Sequence, residues 1–138
     1  MNKYLILIGG GGHCKSVIDV AESAGYNIVG ILGRLEEVGK TVLNYKVVGV
    51  DDDIPQYIGK TEFVITVGFV KNPILRIKLY NRVKELGGKL ATIVASSAHI
   101  SDYAIIGEGT VIMHNALVNA GAKVGNNVII NSFANIEH

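Results

Sequence analysis

A run of four glycines and a histidine, Gly9–His13, is the first stretch of the chain that could do chemistry. It follows a short apolar stretch, Tyr4–Ile8, typical of a buried strand, and precedes Ser16–Ala24, whose apolar residues have helical spacing. Glycines between a strand and a helix let a ligand approach the backbone, and the free N–H groups at the helix start attract phosphate. The turn therefore predicts a phosphate-bearing ligand, foremost a nucleotide diphosphate.

Two other interpretations of this turn stay open. The dinucleotide fingerprint G-x-G-x-x-G fits imperfectly, because its final glycine would fall on Cys14 or Lys15. No acidic residue directly follows the second predicted strand to hold a ribose hydroxyl, and Gly33 and Arg34 stand there instead. This weighs against a nicotinamide-dependent enzyme. The turn could also be a structural strand–helix connection without a ligand.

Predicted strands and helices alternate along the rest of the first 92 residues. Strands are predicted over Asn27–Leu32, Tyr45–Val48, Phe63–Val67 and Leu90–Ile93. Asp51–Pro55 has the acids and the proline of a helix start. A longer helix is predicted to begin at Asn72–Pro73 and to end near Leu86, with a buried side formed by Ile74, Leu75, Ile77, Leu79 and Val83. This alternation indicates a small parallel α/β sheet.

The last 45 residues, Val94–His138, repeat at a step of six. Eight consecutive positions at this step are isoleucine or valine: Val94, Ile100, Ile106, Ile112, Val118, Val124, Ile130 and Ile136. A fixed short period is typical of a solenoid, whose units bury their apolar residues by stacking, whereas sandwich strands would alternate every two residues. Glycines and asparagines between these positions suit turns with positive φ. Only four of the 25 charged residues lie here, which favours two domains, 1–92 and 93–138.

Composition narrows the classes of function. The net charge is +1, from 13 basic and 12 acidic residues without a block of one sign, so we expect neither nucleic acid nor an anionic membrane as partner. No stretch approaches the roughly 20 apolar residues of a membrane span. A single cysteine, Cys14, fits a reducing compartment, and we expect a cytoplasmic protein. Asp51–Asp53 is interpreted as a solvated helix start, and no metal site is predicted.

Motifs at both ends of the chain resemble those of one enzyme family. Residues 9–19, G-G-G-G-H-C-K-S-V-I-D, resemble the G-x-G-G-H-x-K-x-V-I-D motif of the sugar acetyltransferases related to the sialic-acid O-acetyltransferase NeuD and the bacillosamine-pathway protein PglD. Residues 131–138, N-S-F-A-N-I-E-H, resemble their N-[TS]-x-x-x-[IV]-E-H segment. The resemblance implies an α/β, Rossmann-like nucleotide-sugar-binding domain followed by a left-handed parallel β-helix of hexapeptide repeats, here about two and a half coils.

The resemblance also implies an activity and its residues. The activity is acetyl-CoA-dependent acetylation of an amino group on a nucleotide-linked sugar, in bacterial surface-glycan biosynthesis. O-acetylation of a sialic-type acid, or sugar-nucleotide binding without catalysis, are the alternatives. The family's catalytic histidine, a general base, falls on His138, and its active-site asparagine on Asn131. The implied substrate-binding residues are Gly10, Gly11, Gly12, His13, Arg34 and Gly68.

Further expectations concern assembly and the remaining reactive residues. Family members trimerise through the β-helix and hold acetyl-CoA between neighbouring coils, so a homotrimer is expected for the complete protein. They also continue past the catalytic histidine with an acidic residue and further coils, so we expect this chain to be truncated and nearly inactive by itself. His99 and His114 are expected to be surface residues, and Cys14 is not expected to be a nucleophile.

Overall fold

The first part of the chain forms a five-stranded sheet with a helix on each face. The computed structural model describes residues 3–68 and 73–138. The elements of this part are β1 (Tyr4–Ile8), α1 (Gly12–Ser23), β2 (Asn27–Gly33), β3 (Thr41–Val42), β4 (Tyr45–Val50), β5 (Glu62–Ile65) and α2 (Pro73–Glu85). The strand order is β3-β4-β2-β1-β5. All pairs are parallel except the β3–β4 hairpin, which confirms the predicted sheet and adds an edge strand that was not predicted.

Strand β1, which lies between β2 and β5, is buried on both faces because helices cover both sides of the sheet. Leu5 and Leu7 pack in one apolar cluster with Val17 and Ile18 of α1. The alternate residues Ile6 and Ile8 pack in a second cluster on the other face, which includes Leu79 and Val83 of α2. Side chains of a strand alternate between faces, so a strand buried on both faces reads as a continuous apolar run.

Helix α2 buries a different side from the predicted one. Ile74, Leu75 and Ile77 are 80%, 39% and 51% exposed, whereas Arg76 is fully buried. Residues at positions 76, 79 and 83 lie on one face of a helix, and this face meets the sheet. The prediction was wrong for the three residues near the helix start because it treated every apolar residue as buried. Asn72, the predicted cap, lies outside the described residues.

Other predicted boundaries shift. Helix α1 begins at Gly12, four residues before the expected start, so the glycine turn forms its N-terminus. Asp51–Tyr57 is a 3-10 helix in which the carboxylate of Asp53 accepts the N–H of Val50 at 2.9 Å. Strand β5 ends at Ile65 instead of the predicted Val67. The predicted strand Leu90–Ile93 is wrong, because Leu90 makes only an isolated bridge to Phe63.

The second part of the chain is a stack of two-residue parallel strands. They are β6 (Ile93–Val94), β7 (His99–Ile100), β8 (Ile105–Ile106), β9 (Val111–Ile112), β10 (Leu117–Val118), β11 (Lys123–Val124), β12 (Ile129–Ile130) and β13 (Asn135–Ile136). Each strand pairs with the one 18 residues away, so Val118 lies beside both Ile100 and Ile136. Three sheets result, in the orders β13-β10-β7, β11-β8 and β12-β9-β6. The predicted parallel β-helix of hexapeptide repeats is confirmed.

The interior of this stack is formed by the residues predicted from the step of six. Ile112, Val118, Val124 and Ile130 are buried, and the other four pack partly buried against the same cluster. Asn115 and Asn127, at φ 60° and 57°, occupy turns with positive φ as predicted, together with Gly109 and Gly121. The same prediction was wrong for Gly107, Gly125, Asn119 and Asn126, whose φ is not positive. Phe133 also has a positive φ, 64°, although its side chain is 77% exposed and suits such a turn poorly.

The two parts of the chain share contacts. Ile93, Val111 and Met113 of the stack belong to the apolar cluster that also includes α1. The Nε of Arg76 donates to the carbonyl of Asn127 at 3.1 Å, which attaches α2 to a turn of the stack. Neither helix in the described ranges is long and apolar enough to cross a bilayer.

Candidate functional site

The glycine turn lies at the carboxyl edge of the sheet, where ligands of open α/β sheets bind. Gly9, the first residue after β1, has φ +128° and donates its N–H to the carbonyl of Leu32 at 2.8 Å. A Cβ built on Gly9 would lie 2.8 Å from Cγ2 of Val67. Thr66, after β5, donates its hydroxyl to the carbonyl of Gly9 at 2.6 Å. Gly9 is therefore required by the fold itself, and the turn is held from both neighbouring strands.

Gly11 and Gly12 differ from Gly9 because they face open space. Both residues are exposed, and a Cβ built on either would meet no atom of residues 3–68 and 73–138 within 4 Å. Gly11 is the N-cap of α1, and none of the described side chains caps the helix there. The first N–H groups of a helix have no partner within the helix, and they carry its positive partial charge. The turn thus presents an open backbone surface suited to an anion.

His13 stands in the first turn of α1, next to Gly68. The Cβ of His13 lies 3.9 Å from the position that a Cβ on Gly68 would take. Its Nε2 is buried and has no hydrogen-bond partner in the described part of the chain. Burial, and secondarily the charge of Arg76, lower the pKa of His13. The lowered pKa keeps the imidazole neutral at pH 7.

Glu37, which the sequence analysis missed, lies over the same turn. Its Oε1 accepts the backbone N–H of Arg34 at 2.8 Å, and its Oε2 lies 3.1 Å from the position that a Cβ on Gly10 would take. No acid follows β2 directly, but the short 3-10 helix Leu35–Glu37 returns this carboxylate to the end of β2. In the sequence, Glu37 follows Arg34 by three residues, a spacing that permits such a cap, and this spacing could have indicated the position of the carboxylate.

Arg34 is the charged residue of the predicted substrate-binding set, and it lies at the surface. Its side chain is 75% exposed, and its Nε lies 3.4 Å from Oε1 of Glu36 and 3.5 Å from Oε1 of Glu37. The structure thus brings Gly10, Gly11, Gly12, His13, Arg34 and Gly68 to one edge of the sheet, and joins Arg34 to Gly10 through Glu37.

Arg76 fixes the end of β5 below this site. Its Nη1 donates to the carbonyls of Ile65 and Val67 at 2.8 and 2.9 Å. Burial lowers the pKa of Arg76 to about 10, so the guanidinium stays charged at pH 7. Arg76 is a positioning residue, since it holds the backbone segment that contacts Gly9 and adjoins Gly68.

Asn131 and His138 lie in the stack and are exposed. Asn131 begins the turn after β12, and its carbonyl accepts the N–H of Ala134 at 3.1 Å. His138 follows β13, and its Cβ lies 3.3 Å from the position that a Cβ on Gly121 would take. Within the described residues, no hydrogen bond joins either side chain to the glycine turn. Their role in a common site is a prediction that this structure of one chain does not test.

Glu137, the neighbour of His138, is held by Asn119, which the sequence suggested only as a turn residue. Asn119 donates its side-chain amide to Oε1 of Glu137 at 3.2 Å and to Oδ1 of Asn135 at 2.8 Å. Asn119 stands 18 residues before Glu137, so the repeat brings the two side chains together on adjacent coils. This network orders β13 and Glu137, the residue before His138.

His114 is not the simple surface residue that was expected. Its Nε2 lies 2.8 Å from Oδ2 of Asp19 on α1, and its side chain is 32% exposed. The carbonyl of His114 accepts the N–H of Phe133 at 3.1 Å, in the turn that begins with Asn131. The pair therefore links α1 to that turn. His99, by contrast, is exposed as expected.

Two further sequence expectations concern reactive groups. Cys14 is fully buried, and burial raises the pKa of its thiol to about 11, which disfavours the thiolate that a nucleophile needs. Over residues 3–68 and 73–138, His, Cys, Asp and Glu side chains form no group of three that could hold a metal ion. Asp51 and Asp52 are exposed, and Asp53 caps its 3-10 helix.

Comparison with known families matches both parts of the chain. The profile of the PglD N-terminal domain matches residues 4–83, and that of the bacterial transferase hexapeptide (six repeats) matches residues 103–138.

Solved structures with similar folds include perosamine N-acetyltransferases and an acetyltransferase domain. PerB from Caulobacter crescentus, in complex with CoA and GDP-perosamine, is 31% identical with a TM-score of 0.86, over 97% of this chain and 62% of its own. A histidine-to-asparagine mutant of perosamine N-acetyltransferase from the same organism, with the same ligands, is 30% identical with a TM-score of 0.87, over 96% and 61%. The acetyltransferase domain of PglB from Neisseria gonorrhoeae, with acetyl coenzyme A, is 30% identical with a TM-score of 0.85, over 100% and 66%. The chain spans 61–66% of the length of these relatives.

Proposed function

Because the chain belongs to the PglD N-terminal domain family, we propose that it binds a nucleotide-linked amino sugar at the glycine turn and takes part in N-acetylation of that sugar from acetyl-CoA. The open backbone at Gly11 and Gly12 supports this proposal most directly. A diphosphate needs several N–H donors and space beside them, and the uncapped start of α1 offers both. Similar structures contain CoA and GDP-perosamine, which are the matching donor product and acceptor.

His13 is assigned to the sugar side of the acceptor. Its buried Nε2 has no partner among the described residues and its imidazole is neutral, so it can exchange a hydrogen bond with a phosphate oxygen or a sugar hydroxyl without adding charge. Gly68 lies beside His13 and is assigned to the same part of the site. Arg34 is assigned to the rim of the site, where its exposed guanidinium can meet the ligand from solvent.

His138 is assigned the role of general base. In the reaction the sugar amine attacks the thioester carbon, the carbon–sulfur bond breaks, and CoA leaves as its thiol. The amine loses a proton as the amide forms, and a histidine has a pKa in the right range to accept it. Asn131 is assigned to orient the reacting groups, since its amide can donate to a carbonyl oxygen and accept from an amine.

The proposal extends to the setting of the reaction. We assign the acceptor site to residues 1–92 and the catalytic side chains to residues 93–138, within a homotrimer that holds acetyl-CoA between coils. A role in bacterial surface-glycan biosynthesis, in the cytoplasm, belongs to the same proposal. O-acetylation of a sialic-type acid is the alternative reaction. An acceptor without a diphosphate would make no use of the N–H groups at the glycine turn.

Acceptor binding is tested by calorimetry on the 138-residue chain with GDP- and UDP-linked amino sugars. Gly11→Val should weaken binding at least tenfold, because its side chain would enter the space that the diphosphate needs, while φ −80° at this position tolerates valine. Thr41→Val, at an exposed edge-strand position, is the control and should leave affinity unchanged. Unchanged affinity in the Gly11 variant would remove the turn from the site.

Catalysis is tested on the product of the complete reading frame that contains these 138 residues, by thiol release from acetyl-CoA. His138→Ala should lower turnover by roughly 10²–10⁴, the usual contribution of a positioned general base. The exposed His99 provides the control, since His99→Ala should leave turnover unchanged. Equal rates for the wild type and the His138 variant would exclude this residue as the base.

A further inference from the structure

Phe133 combines an unfavourable backbone conformation with an exposed aromatic ring. Its φ is 64°, a region in which bulky residues are rare, and the residue is 77% exposed. Asn115 occupies the same place one coil earlier, 18 residues before Phe133, with φ 60°. Asparagine tolerates this conformation well, so the turn does not require a phenyl ring. Residues with strained backbones cluster at ligand-binding and active sites, which points to a role for the ring outside the turn.

Helix α1 runs alongside the corner of the stack that contains Phe133. Near the C-terminal end of α1, the hydroxyl of Ser23 accepts the N–H of Ser96 at 3.2 Å. One helical turn earlier, Oδ2 of Asp19 lies 2.8 Å from Nε2 of His114, which is 18 residues and one coil beyond Ser96. A helical turn rises about 5.4 Å and paired strands lie about 4.8 Å apart, so the helix and the coils advance nearly in step. The N-terminus of α1 is therefore directed toward the coil of Phe133.

The next step along this corner brings Phe133 level with Lys15. Lys15 is exposed and lies one helical turn before Asp19. Phe133 stands directly beyond His114, since its N–H donates to the carbonyl of His114 at 3.1 Å. From Lys15 to Gly11, the N-cap of α1, the distance along the helix axis is about 6 Å. Phe133 thus belongs to the part of the stack nearest to the glycine turn.

We infer that Phe133 is a specificity residue for the acceptor, and that its phenyl ring packs against the sugar of the nucleotide-linked amino sugar. This inference rests on the proposed function. With the diphosphate at Gly11 and Gly12, the sugar is the part of the acceptor that must reach the stack, because Asn131 begins the turn that contains Phe133. The face of a phenyl ring carries partial negative charge, so it packs well against the C–H groups of a sugar ring. The ring contributes to recognition of the sugar and not of the nucleoside diphosphate.

Two substitutions separate the effect of the ring from that of the turn. Phe133→Asn removes the ring and introduces the residue that the stack already holds at the same place, Asn115. This variant should not lower the free energy of unfolding, because asparagine relieves the unfavourable φ. Phe133→Tyr keeps both the ring and the strain. Tyr103→Ala is the matched control, since Tyr103 is an aromatic residue of the stack, 82% exposed, in the turn between β7 and β8.

The experiment measures, by calorimetry on the 138-residue chain, the affinity for GDP- and UDP-linked amino sugars and for GDP and UDP alone. Phe133→Asn should weaken binding of the preferred nucleotide sugar roughly tenfold, because an aromatic contact that buries apolar surface is lost. The same variant should bind the corresponding nucleoside diphosphate as tightly as the wild type. Phe133→Tyr should keep the affinity for the nucleotide sugar within about twofold, because the ring is preserved. Tyr103→Ala should leave every affinity unchanged.

The outcomes distinguish the inference from the proposed function. Unchanged nucleotide-sugar affinity in Phe133→Asn would overturn the inference, while binding of the nucleotide sugar by the wild type would still support the acceptor site. Equal losses for the nucleotide sugar and for the nucleoside diphosphate would also overturn it, since the ring would then act on the turn or on the nucleoside. The same holds for a loss in Phe133→Tyr as large as in Phe133→Asn, or for a selective loss in Tyr103→Ala. Failure of the wild type to bind any of these probes would overturn both the inference and the proposed function.

Discussion

The α/β part and the β-helical part of the chain bury apolar residues in different ways. In the α/β part, β1 is buried on both faces, with Leu5 and Leu7 in one cluster and Ile6 and Ile8 in the other. In the stack, strands that do not face α1 bury mainly one side chain, and the neighbouring side chain, such as Ile105 at 62% exposed, points outward. Strand β9 differs, because Val111 also packs in the cluster that includes α1. The sheet needs two helices to cover it, whereas the stack covers itself by repetition.

The functional surfaces differ accordingly. In the α/β part, a ligand would contact mainly backbone N–H groups, because glycines and a helix N-terminus form the turn. In the stack, a ligand would contact mainly side chains, because every coil repeats the same backbone and only the outward residues vary, as at Asn119 and Glu137. A backbone site suits a common group such as phosphate, and a side-chain site suits proton transfer. The comparison explains why binding and catalysis are assigned to different parts.

The largest effect on stability is expected where the two parts meet, at Arg76. Arg76→Met removes donors from the buried carbonyls of Ile65, Val67 and Asn127. Buried acceptors without partners cost roughly 1–3 kcal/mol each, so we expect a loss on the order of 3–5 kcal/mol in urea unfolding. Arg82→Met, at an exposed pair with Asp52, is the control and should cost less than about 1 kcal/mol. A similar cost for both variants would show that Arg76 does not join the two parts.

A smaller effect is expected inside the stack, where inward and outward positions can be compared directly. Ile112→Ala should lower the free energy of unfolding by about 2–5 kcal/mol, because Ile112 is fully buried and its removal leaves a cavity. Ile105→Ala, on an exposed side chain, should change it by no more than about 0.5 kcal/mol. Chemical denaturation monitored by circular dichroism measures both. Equal losses would contradict the one-sided burial of the coils.

Phe133 allows a change that should stabilise the stack. A φ of 64° costs a bulky residue roughly 1–2 kcal/mol, and glycine removes this cost. Glycine also increases the conformational entropy of the unfolded chain, which offsets part of the gain in stability. Phe133→Gly should therefore raise the free energy of unfolding by about 0.5 kcal/mol. Ser132→Gly, at a neighbouring residue without positive φ, should lower it. A melting temperature that falls in both variants would mean that the exposed phenyl ring stabilises the turn.

The smallest effect concerns His13 and pH. Its pKa in the folded protein is held below the ordinary value of 6.5, by burial and then by Arg76, so the unfolded chain binds the proton first as the pH falls. The stability contributed by neutral His13 is complete above about pH 6.5 and is lost as the pH falls from there toward the folded pKa. His13→Gln should show a flatter decline of the urea midpoint between pH 7 and pH 5. Parallel curves for the two proteins would refute the lowered pKa.

Local pattern was sufficient for much of this fold. The step of six identified the inward residues of the coils, because each short strand must turn the same side chain toward its neighbours above and below. The apolar run of β1 and the glycines after it likewise predicted a buried strand and an open turn, since these properties depend on residues adjacent in sequence. The motifs at residues 9–19 and 131–138 led to the family that the profile of the PglD N-terminal domain confirms.

Tertiary structure decided which side of a local element meets the rest of the molecule. The helix α2 has apolar residues on several sides, and only the position of β5 and of the turn at Asn127 determines that Arg76 is buried while Ile74 is exposed. The contact between His114 and Asp19 joins residues 95 positions apart, so no local spacing could reveal it. The carboxylate of Glu37 lies beside Gly10 only because a 3-10 helix brings it back toward the glycine turn. In each case the spacing of residues in the sequence indicates which of them share a face. Only the packing of distant parts of the chain determines what that face contacts.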